Sequence, residues 1–432
     1  MSLCGWGRYP IVENQSCAFN DEADLRQLIT QEEDVIAFGN GRSYGDSALN
    51  NRIIRCRPHN YFLDFDTETG LLNIQAGVLL SEILQAFVHR GWFLKVTPGT
   101  RLITVGGAIA SDVHGKNHHL LGCFSECVES FRLMLPDGEV VCCSRQENDD
   151  LFKATCGGMG LTGIILDAQI ILSRISSAFL DQQTIKTANL KETFEAFEQH
   201  QAAPYSVAWL DCLAKGEKLG RCLLMTGDFR DDGLLSYRLK AKPGVPCDFP
   251  SFSLNQWSIK AFNALYYGKA KAGQSTQRVD IDSFFYPLDA IGNWNRIYGK
   301  NGFVQYQFVL PKESSYEGLR EILDNISRRG KGSFLAVLKL CGAANENYLS
   351  FPMEGYSLAL DFKIEPGVFD LLNLLDEIVV QHGGRIYLAK DARVSKSVFQ
   401  KGYPQIEAFR ALRQQYKMNE KFNSSQSRRL AI

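Results

Sequence analysis

The sequence predicts an α+β protein of two domains, and three observations lead to that class. Of the 432 residues, 45% are apolar and 22% are charged, which is the balance of a globular protein with a sizeable core. Three glycine-rich loops, at 39–46, 98–116 and 156–163, lie in the first part of the chain. After about residue 178 such loops become rare, and long amphipathic stretches appear instead. We therefore expect a domain boundary near residue 178.

The first domain is expected to mix short strands with helices. Its apolar residues recur with the spacing that each type of element requires. Pro136-Asp137-Gly138 is a turn signal between two apolar runs, which predicts a hairpin. The predicted elements are a helix start at Leu25–Thr30, strands at Asp34–Phe38 and Leu72–Val78, a helix at Ser81–Gly91, a strand at Phe93–Val96, the hairpin of Phe131–Leu135 with Glu139–Cys142, and a strand pair within Leu161–Leu172.

The second domain is expected to combine strands with helices. Amphipathic stretches predict its helices, and short apolar runs predict its strands. Residues 240–251 are rich in lysine and proline and are predicted to form a mobile loop. The predicted helices are Leu190–His200 and Tyr316–Arg328, and the predicted strands are Phe303–Leu310, Phe334–Leu340 and Tyr356–Phe362.

Charge and cysteine usage argue against several classes of function. The net charge of -1 lacks the basic surplus of a nucleic-acid-binding protein. No apolar segment follows basic residues at the N-terminus, and no run of about 18 apolar residues occurs, so we expect neither a signal peptide nor a membrane span. The 12 cysteines include no Cys-x-x-Cys pair, which favours reduced thiols in a cytoplasmic protein over a metal site. Peripheral contact with a membrane stays open.

The first glycine-rich loop is Gly39-Asn40-Gly41-Arg42-Ser43-Tyr44-Gly45-Asp46. Glycines let a backbone approach a ligand closely, and successive N–H groups in such a loop bind phosphate oxygens. The loop matches neither the Rossmann nor the P-loop pattern, because its third glycine comes late and no Gly-Lys-Ser/Thr follows. Taken alone, it fits a structural turn as well as a ligand loop.

The second loop runs from Pro98-Gly99-Thr100 through Gly106-Gly107 to His114-Gly115-Lys116. Gly106-Gly107 is placed to start a helix whose N–H groups face a phosphate. His114 fits a core histidine, a metal ligand or a residue beside a bound flavin. With His118 and His119 it forms His-x-x-x-His-His, but no further ligand on a defined fold supports zinc, so no metal site is expected.

The third loop has four glycines between residues 157 and 163, so it cannot be a regular helix or strand. One such loop is readily explained as a tight turn. Three of them in one domain are hard to assign to turns alone, whereas one large dinucleotide threaded through the domain explains all three.

The order of these motifs resembles the vanillyl-alcohol oxidase (p-cresol methylhydroxylase, PCMH) superfamily of FAD enzymes. The shared pattern is a strand, a pyrophosphate loop, Thr-Val-Gly-Gly-Ala at 104–108, Asp-Leu-Phe at 150–152 and Gly-Gly-x-Gly-x-x-Gly-Ile at 157–164. Nearly the whole chain is similar to the decaprenylphosphoryl-β-D-ribose 2-oxidase family within it. The motifs that carry this narrower resemblance are Gly-Trp-Gly-Arg at 5–8, His-Gly-Lys-Asn-His-His at 114–119, Tyr-Pro-Leu-Asp at 286–289, Gln-Tyr-Gln-Phe at 305–308, Ser-Phe-Pro at 350–352, Ile-Tyr-Leu-Ala-Lys-Asp at 386–391 and Arg-Arg-Leu at 428–430.

The resemblance implies a PCMH-type FAD-binding domain at 1–177, a substrate domain at 178–384 with an antiparallel sheet flanked by helices, and a segment at 385–432 that returns to the FAD domain. Residues 213–280 align poorly and are expected to include mobile loops over the substrate. FAD is expected to be noncovalent, because the pyrophosphate loop has Ser43 and Tyr44 rather than an anchoring histidine or cysteine. The residues implied to contact FAD are Gly39, Asn40, Gly41, Arg42, Ser43, Tyr44, Gly45, Asp46, Gly99, Thr104, Val105, Gly106, Gly107, Ser111, Asp112, His114, Gly163, Ile165 and Tyr387.

Lysines are the main candidates for the chemistry of such a site. An alcohol that gives a hydride to a flavin also loses a proton, and cationic or donor groups stabilise the charge that develops. Lys390 is a candidate for this role, although a lysine in such a turn is otherwise a solvated charge. Lys339 lies in an apolar strand and must be paired or functional if it points inward. Lys390, His114 and Tyr44 are the candidates for the general base.

The substrate contacts follow from the same resemblance. Gln305 and Gln307 share one face of their strand and are placed to hydrogen-bond sugar hydroxyls; the alternative is two exposed polar positions. Trp209 and Phe285 fit either a stacking surface for the substrate or buried core. Ala359 stands where mycobacterial members carry a cysteine, which hydride transfer does not need. The residues implied to contact substrate are Lys116, Trp209, Phe285, Gln305, Gln307, Lys339, Ala359 and Lys390.

The resemblance implies an enzyme that oxidises a secondary alcohol on a polyprenyl-phosphoryl pentose, taking a ribose 2-hydroxyl to a ketone. An NAD(P)H-dependent short-chain reductase would then complete an epimerisation. One alternative is an aldonolactone or free-sugar oxidase that uses oxygen. Another is a flavin-binding partner protein without turnover.

Overall fold

The computed structural model describes residues 2–239 and 243–432, and the chain begins with an α+β half that contains the glycine-rich loops. Its strands are β1 (Ser2–Cys4), β2 (Ile11–Glu13), β3 (Gln15–Cys17), β4 (Ile36–Phe38), β5 (Arg52–Arg55), β6 (Phe62–Phe65), β7 (Leu71–Gln75), β8 (Trp92–Leu94), β9 (Val128–Met134), β10 (Val140–Ser144) and β11 (Ile164–Arg174). Its helices are α1 (Glu22–Gln31), α2 (Leu80–Phe87), α3 (Val105–Ala110), α4 (His118–Leu121) and α5 (Asp149–Thr155).

Three sheets organise this half. Strands β1 and β2 pair antiparallel, and β3, β5 and β4 form a small parallel sheet in that order. The main sheet is antiparallel with the order β10-β9-β11-β7-β6, and β8 also pairs with β11. Helix α2 buries Ile83, Leu84 and Phe87 on one face, as their helical spacing requires. The glycine-rich loops connect these strands and helices.

The predicted hairpin of this half is confirmed, and the predicted strand pair within Leu161–Leu172 is wrong. Strands β9 and β10 pair antiparallel around Gly138, which has a φ of +85° in its turn. In contrast, β11 is one strand of 11 residues from Ile164 onward. After Gly163 no glycine or proline interrupts the run, so nothing turns the chain back. Bulges in its pairing with β9 bend the strand instead.

The second half is built on a larger set of strands and helices than the sequence predicts. Its strands are β12 (Phe179–Thr187), β13 (Tyr205–Leu210), β14 (Cys222–Phe229), β15 (Gln274–Asp280), β16 (Phe303–Pro311), β17 (Ala336–Cys341), β18 (Gly355–Lys363) and β19 (Arg385–Ile386). Its helices are α6 (Leu190–Gln199), α7 (Gln256–Lys269), α8 (Ile281–Phe285), α9 (Lys312–Arg329), α10 (Val368–Gln381), α11 (Lys396–Gly402), α12 (Ile406–Gln415), α13 (Met418–Lys421) and α14 (Ser425–Leu430).

One antiparallel sheet dominates this half, with the order β15-β12-β14-β13-β17-β18-β16-β19. Helices α6, α9 and α10 pack against its strands. The predicted α+β class with an antiparallel sheet flanked by helices is therefore confirmed. The domain limits stay predictions, and the sheet crosses the second of them, because β19 pairs with β16.

The divergent segment 213–280 contains regular elements as well as loops. Strand β14, helix α7 and strand β15 all lie within it, and the expectation that it includes mobile loops over the substrate stays a prediction. Of the loop predicted at 240–251, residues 240–242 lie outside the described residues, and 243–251 contain neither helix nor strand. Within the described ranges, no helix is both long enough and apolar enough to cross a bilayer.

The C-terminal helices pack against the first half through polar contacts. Val35 and Phe422 form a parallel β-bridge, and the amide of Asn423 donates to the Val35 carbonyl. The guanidinium of Arg429 lies 2.8 Å from a carboxylate oxygen of Asp46 and 2.8 Å from one of Asp391. Burial alone would raise the pKa of Asp391, but Arg429 and two backbone N–H groups hold it below its usual range. The end of the first glycine loop is thereby tied to the C-terminal segment.

Replacing Arg429 should destabilise the protein strongly. Arg429→Met leaves the buried carboxylates of Asp46 and Asp391 facing each other without a cation, so we expect the free energy of unfolding to fall by about 3 kcal/mol. Urea denaturation measures the change. The matched control is Arg328→Met, whose exposed partner is Asp324 one helical turn away; it should cost less than about 0.5 kcal/mol. Equal losses in the two variants would contradict the prediction.

Candidate functional site

A cavity of about 820 Å³ lies where the glycine-rich loops face the large sheet. All three loops line it, and so do residues of β13, β16, β17 and β18. This volume is near the upper end of the range for ligand pockets in proteins. The two halves of the chain thus build one site together, and that site accommodates a large ligand.

The first glycine loop follows β4 and contributes its backbone to the cavity wall. The Asn40 side chain donates to the Leu102 carbonyl at 2.7 Å, which ties the first loop to the second. A Cβ at Gly39 would come within 2.6 Å of the Thr104 hydroxyl, so only glycine allows the two loops to approach this closely. Arg42 stacks on Trp6 at 4.1 Å, and its buried Nε has no hydrogen-bond partner among the described residues.

Hydrogen bonds fix the first part of the second loop. Thr104 caps α3 by accepting from the Gly107 amide at 3.1 Å. The Thr100 hydroxyl and the Arg101 amide both donate to Asp289, at 2.8 and 2.9 Å. Gly99 lines the cavity, and no atom lies within 4 Å of the position that its Cβ would take. At Gly99 the loop therefore presents backbone and open space to the cavity.

His114 and Gln307 meet across the junction of the two halves. The Gln307 Nε2 lies 3.0 Å from His114 Nε2 and 3.2 Å from the Ser357 hydroxyl. Burial lowers the pKa of His114 well below its usual range, and the charge of Lys339 lowers it further, so the ring is neutral. Since Gln307 donates to Nε2, the ring proton lies on Nδ1, a buried atom with no partner in the described ranges. Tyr387 lies beside this ring and donates to the Ser111 carbonyl at 2.9 Å.

Lys116, Lys339 and Lys390 all line the cavity. Each is half-buried, because protein covers its stem while the remaining surface faces the cavity. None forms an ion pair with a carboxylate in residues 2–239 or 243–432. Burial lowers the pKa of Lys116 and of Lys390 to about 7, and that of Lys339 is lowered by the same cause. Lysines concentrated in one enclosed space without ion pairs to carboxylates favour an anionic ligand.

Lys390 lies between an aromatic ring and a buried acid. Its Nζ is 3.9 Å from the centroid of Tyr44. Asp361 opposes the effect of burial and raises the pKa of Lys390, whereas Lys339 lowers it. Burial raises the pKa of Asp361 to about 7, although Gln305 donates to its carboxylate at 2.6 Å. Burial also raises the pKa of Tyr44 well above its usual range, so the phenol stays protonated.

Aromatic side chains line another part of the cavity. Trp209 on β13 donates through its indole N–H to the Phe334 carbonyl at 3.0 Å, and its ring contacts Tyr266 at 4.7 Å. Phe285 is 1% exposed and packs among Phe93, Phe229 and Tyr205. Most of its surface is therefore buried in the core, as one of the two alternatives expected. Both side chains also belong to the cavity wall.

Most of the residues singled out from the sequence lie in this cavity wall. The alternative interpretation of Gln305 and Gln307 as two exposed polar positions is wrong, because both side chains are buried and line the cavity. The predicted residues that line it are Gly39, Asn40, Gly41, Arg42, Ser43, Tyr44, Gly99, Thr104, Gly106, Gly107, Ser111, His114, Lys116, Gly163, Ile165, Trp209, Phe285, Gln305, Gln307, Lys339, Ala359, Tyr387 and Lys390.

Four predicted cofactor contacts do not line the cavity: Gly45, Asp46, Val105 and Asp112. A Cβ at Gly45 would overlap the Asp391 carbonyl, and Asp46 pairs with Arg429. Val105 is fully buried in α3. The Asp112 carboxylate accepts from the Ser125 amide, Asn345, Asn347 and Ser350. These four residues contact other parts of the protein instead of the cavity, and their contacts stabilise the loops that line it.

Sequence reasoning missed several residues of the cavity wall. Trp6 belongs to the Gly-Trp-Gly-Arg motif, so a signal was present at that position. Phe262 and Tyr266 are four apart on α7, and this helical spacing could have found them. No local pattern distinguishes several other missed polar residues, among them Gln182, Gln277 and Ser357.

The three histidines considered for zinc point in different directions. His118 Nε2 lies 3.4 Å from the Cys123 sulfur, and its Nδ1 accepts from the Gly342 amide. His119 Nε2 lies 2.9 Å from the Ala203 carbonyl, and His114 contacts Gln307. In the part of the chain that the structure describes, no three His, Cys, Asp or Glu side chains are grouped as metal ligands.

Comparison with known proteins identifies relatives of this chain. The sequence pattern of a family described as FAD binding domain matches residues 20–144. Decaprenylphosphoryl-β-D-ribose oxidase from Mycolicibacterium smegmatis is 37% identical over 450 aligned positions, which cover 100% of this chain and 97% of that protein. L-gulonolactone oxidase from Mus musculus is 29% identical over 199 positions, 45% of this chain and 44% of that protein. Human Δ(24)-sterol reductase is 31% identical over 108 positions, 25% and 21% of the two chains.

Proposed function

Because the chain belongs to the FAD-dependent oxidoreductase family of decaprenylphosphoryl-β-D-ribose oxidase, we propose that it oxidises a secondary alcohol on a polyprenyl-phosphoryl pentose, the ribose 2-hydroxyl to a ketone. The observation that carries the proposal is one cavity in which Lys116, Lys339 and Lys390 form no ion pair with a carboxylate of the described residues, while aromatic side chains line another part. A phosphate ester with an apolar tail combines the charge and the apolar surface that such a wall complements.

The residues present fit FAD. Gly39 and Gly99 leave the loops room for a ligand that touches backbone, and the orphaned Nε of Arg42 offers a hydrogen bond to a phosphate oxygen. We propose that the first loop and the Gly99–Gly107 stretch hold the cofactor noncovalently, with Gly163, Ile165 and Tyr387 completing the wall. When bound, FAD supplies the hydride acceptor for the reaction. Acid precipitation should release the flavin from the protein.

Lys390 is the best candidate for the general base. An effective base needs a pKa near the working pH, and burial brings the pKa of Lys390 to about 7. Tyr44 stays protonated because its pKa is raised, and His114 Nε2 is engaged by Gln307. In this proposal the neutral Nζ of Lys390 takes the proton of the substrate hydroxyl, and Tyr44 holds that Nζ in place. Gln305 and Gln307 orient the sugar hydroxyls.

Lys116 and Lys339 are proposed to hold the substrate phosphate. Lys116 lies near the apolar part of the wall: its Nζ is 3.4 Å from the Phe285 carbonyl and 5.5 Å from the Phe284 ring centroid. Trp209 and Phe285 then border the start of the polyprenyl chain. We also propose a short-chain reductase as the partner that consumes the ketone, and peripheral contact with the membrane that holds such a lipid.

Anaerobic bleaching of the flavin absorbance tests the function. We expect a polyprenyl-phosphoryl ribose to bleach it, whereas free pentoses and aldonolactones leave it oxidised. Bleaching by soluble lactones instead would favour a lactone oxidase, the activity named for the partly similar L-gulonolactone oxidase. A flavin that no sugar bleaches would favour a binding protein without turnover.

Lys116→Ala should separate phosphate binding from chemistry. Removing the cation from the proposed phosphate site should raise the substrate concentration for half-maximal bleaching by about tenfold or more, with little change in the limiting rate. Titrating the bleaching rate against substrate measures both quantities. Lys95→Ala, in the same domain but outside the cavity wall, serves as the control. A fall in the limiting rate with unchanged half-saturation would contradict the role assigned to Lys116.

A further inference from the structure

Helix α7 presents an apolar face to solvent. Trp257 is 75% exposed and Leu265 is 72% exposed. Together with Ala261 and Ala264, these two residues recur at helical spacing along one side of the helix. Ile259 on another side of the helix is buried. Phe252, just before the helix, is 76% exposed. Exposed apolar residues are common singly, but a grouped set on one helix marks an interaction surface.

This apolar face continues into the cavity. Phe262 and Tyr266 are next to the exposed stripe on α7, and both line the cavity while keeping 44% and 37% of their surface exposed. Their rings stack at a centroid distance of 5.8 Å, and Tyr266 touches Trp209 further in. Ile291 likewise lines the cavity and is exposed. An apolar molecule can therefore move from the α7 face to the cavity along apolar side chains.

The same segment is basic. Residues 249–279 contain Lys260, Lys269, Lys271 and Arg278 and no Asp or Glu, whereas the whole chain has a net charge of -1. Lys260 Nζ lies 5.2 Å from the Trp257 ring centroid. Across the described ranges, none of the three lysines pairs with a carboxylate. Aromatic and aliphatic side chains with unpaired lysines beside them are the composition of helices that lie in the interface of anionic membranes.

We propose that the α7 face, defined as Phe252, Trp257, Ala261, Ala264 and Leu265 with Lys260 and Lys269, docks on an anionic lipid bilayer. The apolar residues enter the headgroup–acyl boundary, and the lysines remain among the lipid phosphates. The mouth of the cavity beside Phe262 and Tyr266 then opens toward the acyl layer. A polyprenyl tail reaches the cavity from the bilayer without crossing water; this last step rests on the proposed function, whereas the docking depends only on the surface.

Vesicle flotation of the full-length protein tests the docking. We expect binding to vesicles of phosphatidylcholine with phosphatidylglycerol, weaker binding to phosphatidylcholine alone, and a decrease with added salt. Trp257→Glu/Leu265→Glu should lower the partition into anionic vesicles by about tenfold or more. The control Ile11→Glu/Tyr61→Glu adds the same two charges at residues that are 66% and 70% exposed, one in β2 and one just before β6, and it should bind like the wild type.

Three other outcomes would overturn the docking proposal. They are no vesicle binding by the wild type, equal loss in both double variants, and self-association that Trp257→Glu/Leu265→Glu abolishes while vesicle binding persists. The last would assign the face to a second copy of the chain. Bleaching by a short-chain, water-soluble analogue of the phosphoryl sugar reports the proposed function separately. If the analogue bleaches the flavin but vesicles do not bind, docking fails alone; if vesicles bind but no phosphoryl sugar bleaches, the proposed function fails and docking stands.

Discussion

Lys390→Met is expected to keep its FAD and to lower the rate of flavin bleaching by saturating substrate about 10²- to 10⁴-fold. The methionine side chain nearly preserves the length of the lysine stem and its packing on Tyr44, but it can neither accept nor donate the hydroxyl proton. Anaerobic stopped-flow absorbance measures the rate, and the ratio of flavin to protein absorbance measures cofactor content.

Cofactor retention is expected because the loop beside Lys390 is held by other contacts. The Tyr44 amide donates to the Ala389 carbonyl at 3.1 Å, Asn40 holds Leu102, and Asp46 pairs with Arg429. None of these contacts uses the Lys390 ammonium. A loss of flavin in Lys390→Met would therefore assign the residue to cofactor binding rather than to chemistry.

The matched control is Lys396→Met, an exposed lysine in helix α11 of the same C-terminal segment. It should bleach at the wild-type rate. If Lys390→Met also keeps the wild-type rate while holding its FAD, Lys390 is not the base.

The elements that the sequence predicted well are those with strong local signals. The hairpin around Gly138 has its turn residues and two apolar runs in one short stretch, and helix α2 buries Ile83, Leu84 and Phe87 at helical spacing. Helix α7 was missed because its outer face is as apolar as the side that packs, so the stretch lacks the polar face of a typical surface helix. Its exposed apolar residues fit the proposed docking on a lipid bilayer.

The candidate site was predictable in its loops and much less so in its wall. Each glycine loop is a local pattern, so Gly39 and Gly99 could be named as candidate ligand contacts before the fold was known. Both line the cavity. Gln307, Ser357 and Gln182 line the same cavity because of the order of the strands in the large sheet. Strand order depends on contacts between distant parts of the chain, which a local pattern does not show. The pairing of Asp46 with Arg429 spans nearly the whole chain, so no local pattern distinguishes that carboxylate from one that faces a ligand.

The rate of flavin bleaching should rise with pH and level off above about pH 7. Burial lowers the pKa of Lys390 to about 7, so the neutral amine that accepts the proton is depleted below that pH. With one proton controlling the step, the rate should fall about tenfold for each further unit of acidity. The measurement is the limiting bleaching rate across pH 5 to 9, about two units on each side of that pKa. A rate that instead falls as the pH rises through 7 would mean that the cationic form of Lys390 is the active one.

Asp361→Asn should move this profile to lower pH. The Asp361 carboxylate is the opposite charge that raises the pKa of Lys390 against burial and against Lys339, so removing it lets the lysine lose its proton at a lower pH. Burial also brings the pKa of Asp361 itself to about 7, so the substitution removes a second titration from the profile. The asparagine amide remains beside Gln305 and Tyr298, which preserves the packing of that corner.

The direction of the shift separates an electrostatic role for Asp361 from a structural one. A merely structural defect would lower the rate at every pH and leave the midpoint in place, whereas the loss of a facing charge moves the midpoint and leaves the high-pH plateau near the wild-type rate. Lys390→Met should lose the midpoint of the amine, so that any midpoint left in this range reports the titration of Asp361. A midpoint that stays in place or moves upward in Asp361→Asn would rule out the coupling between the two buried groups.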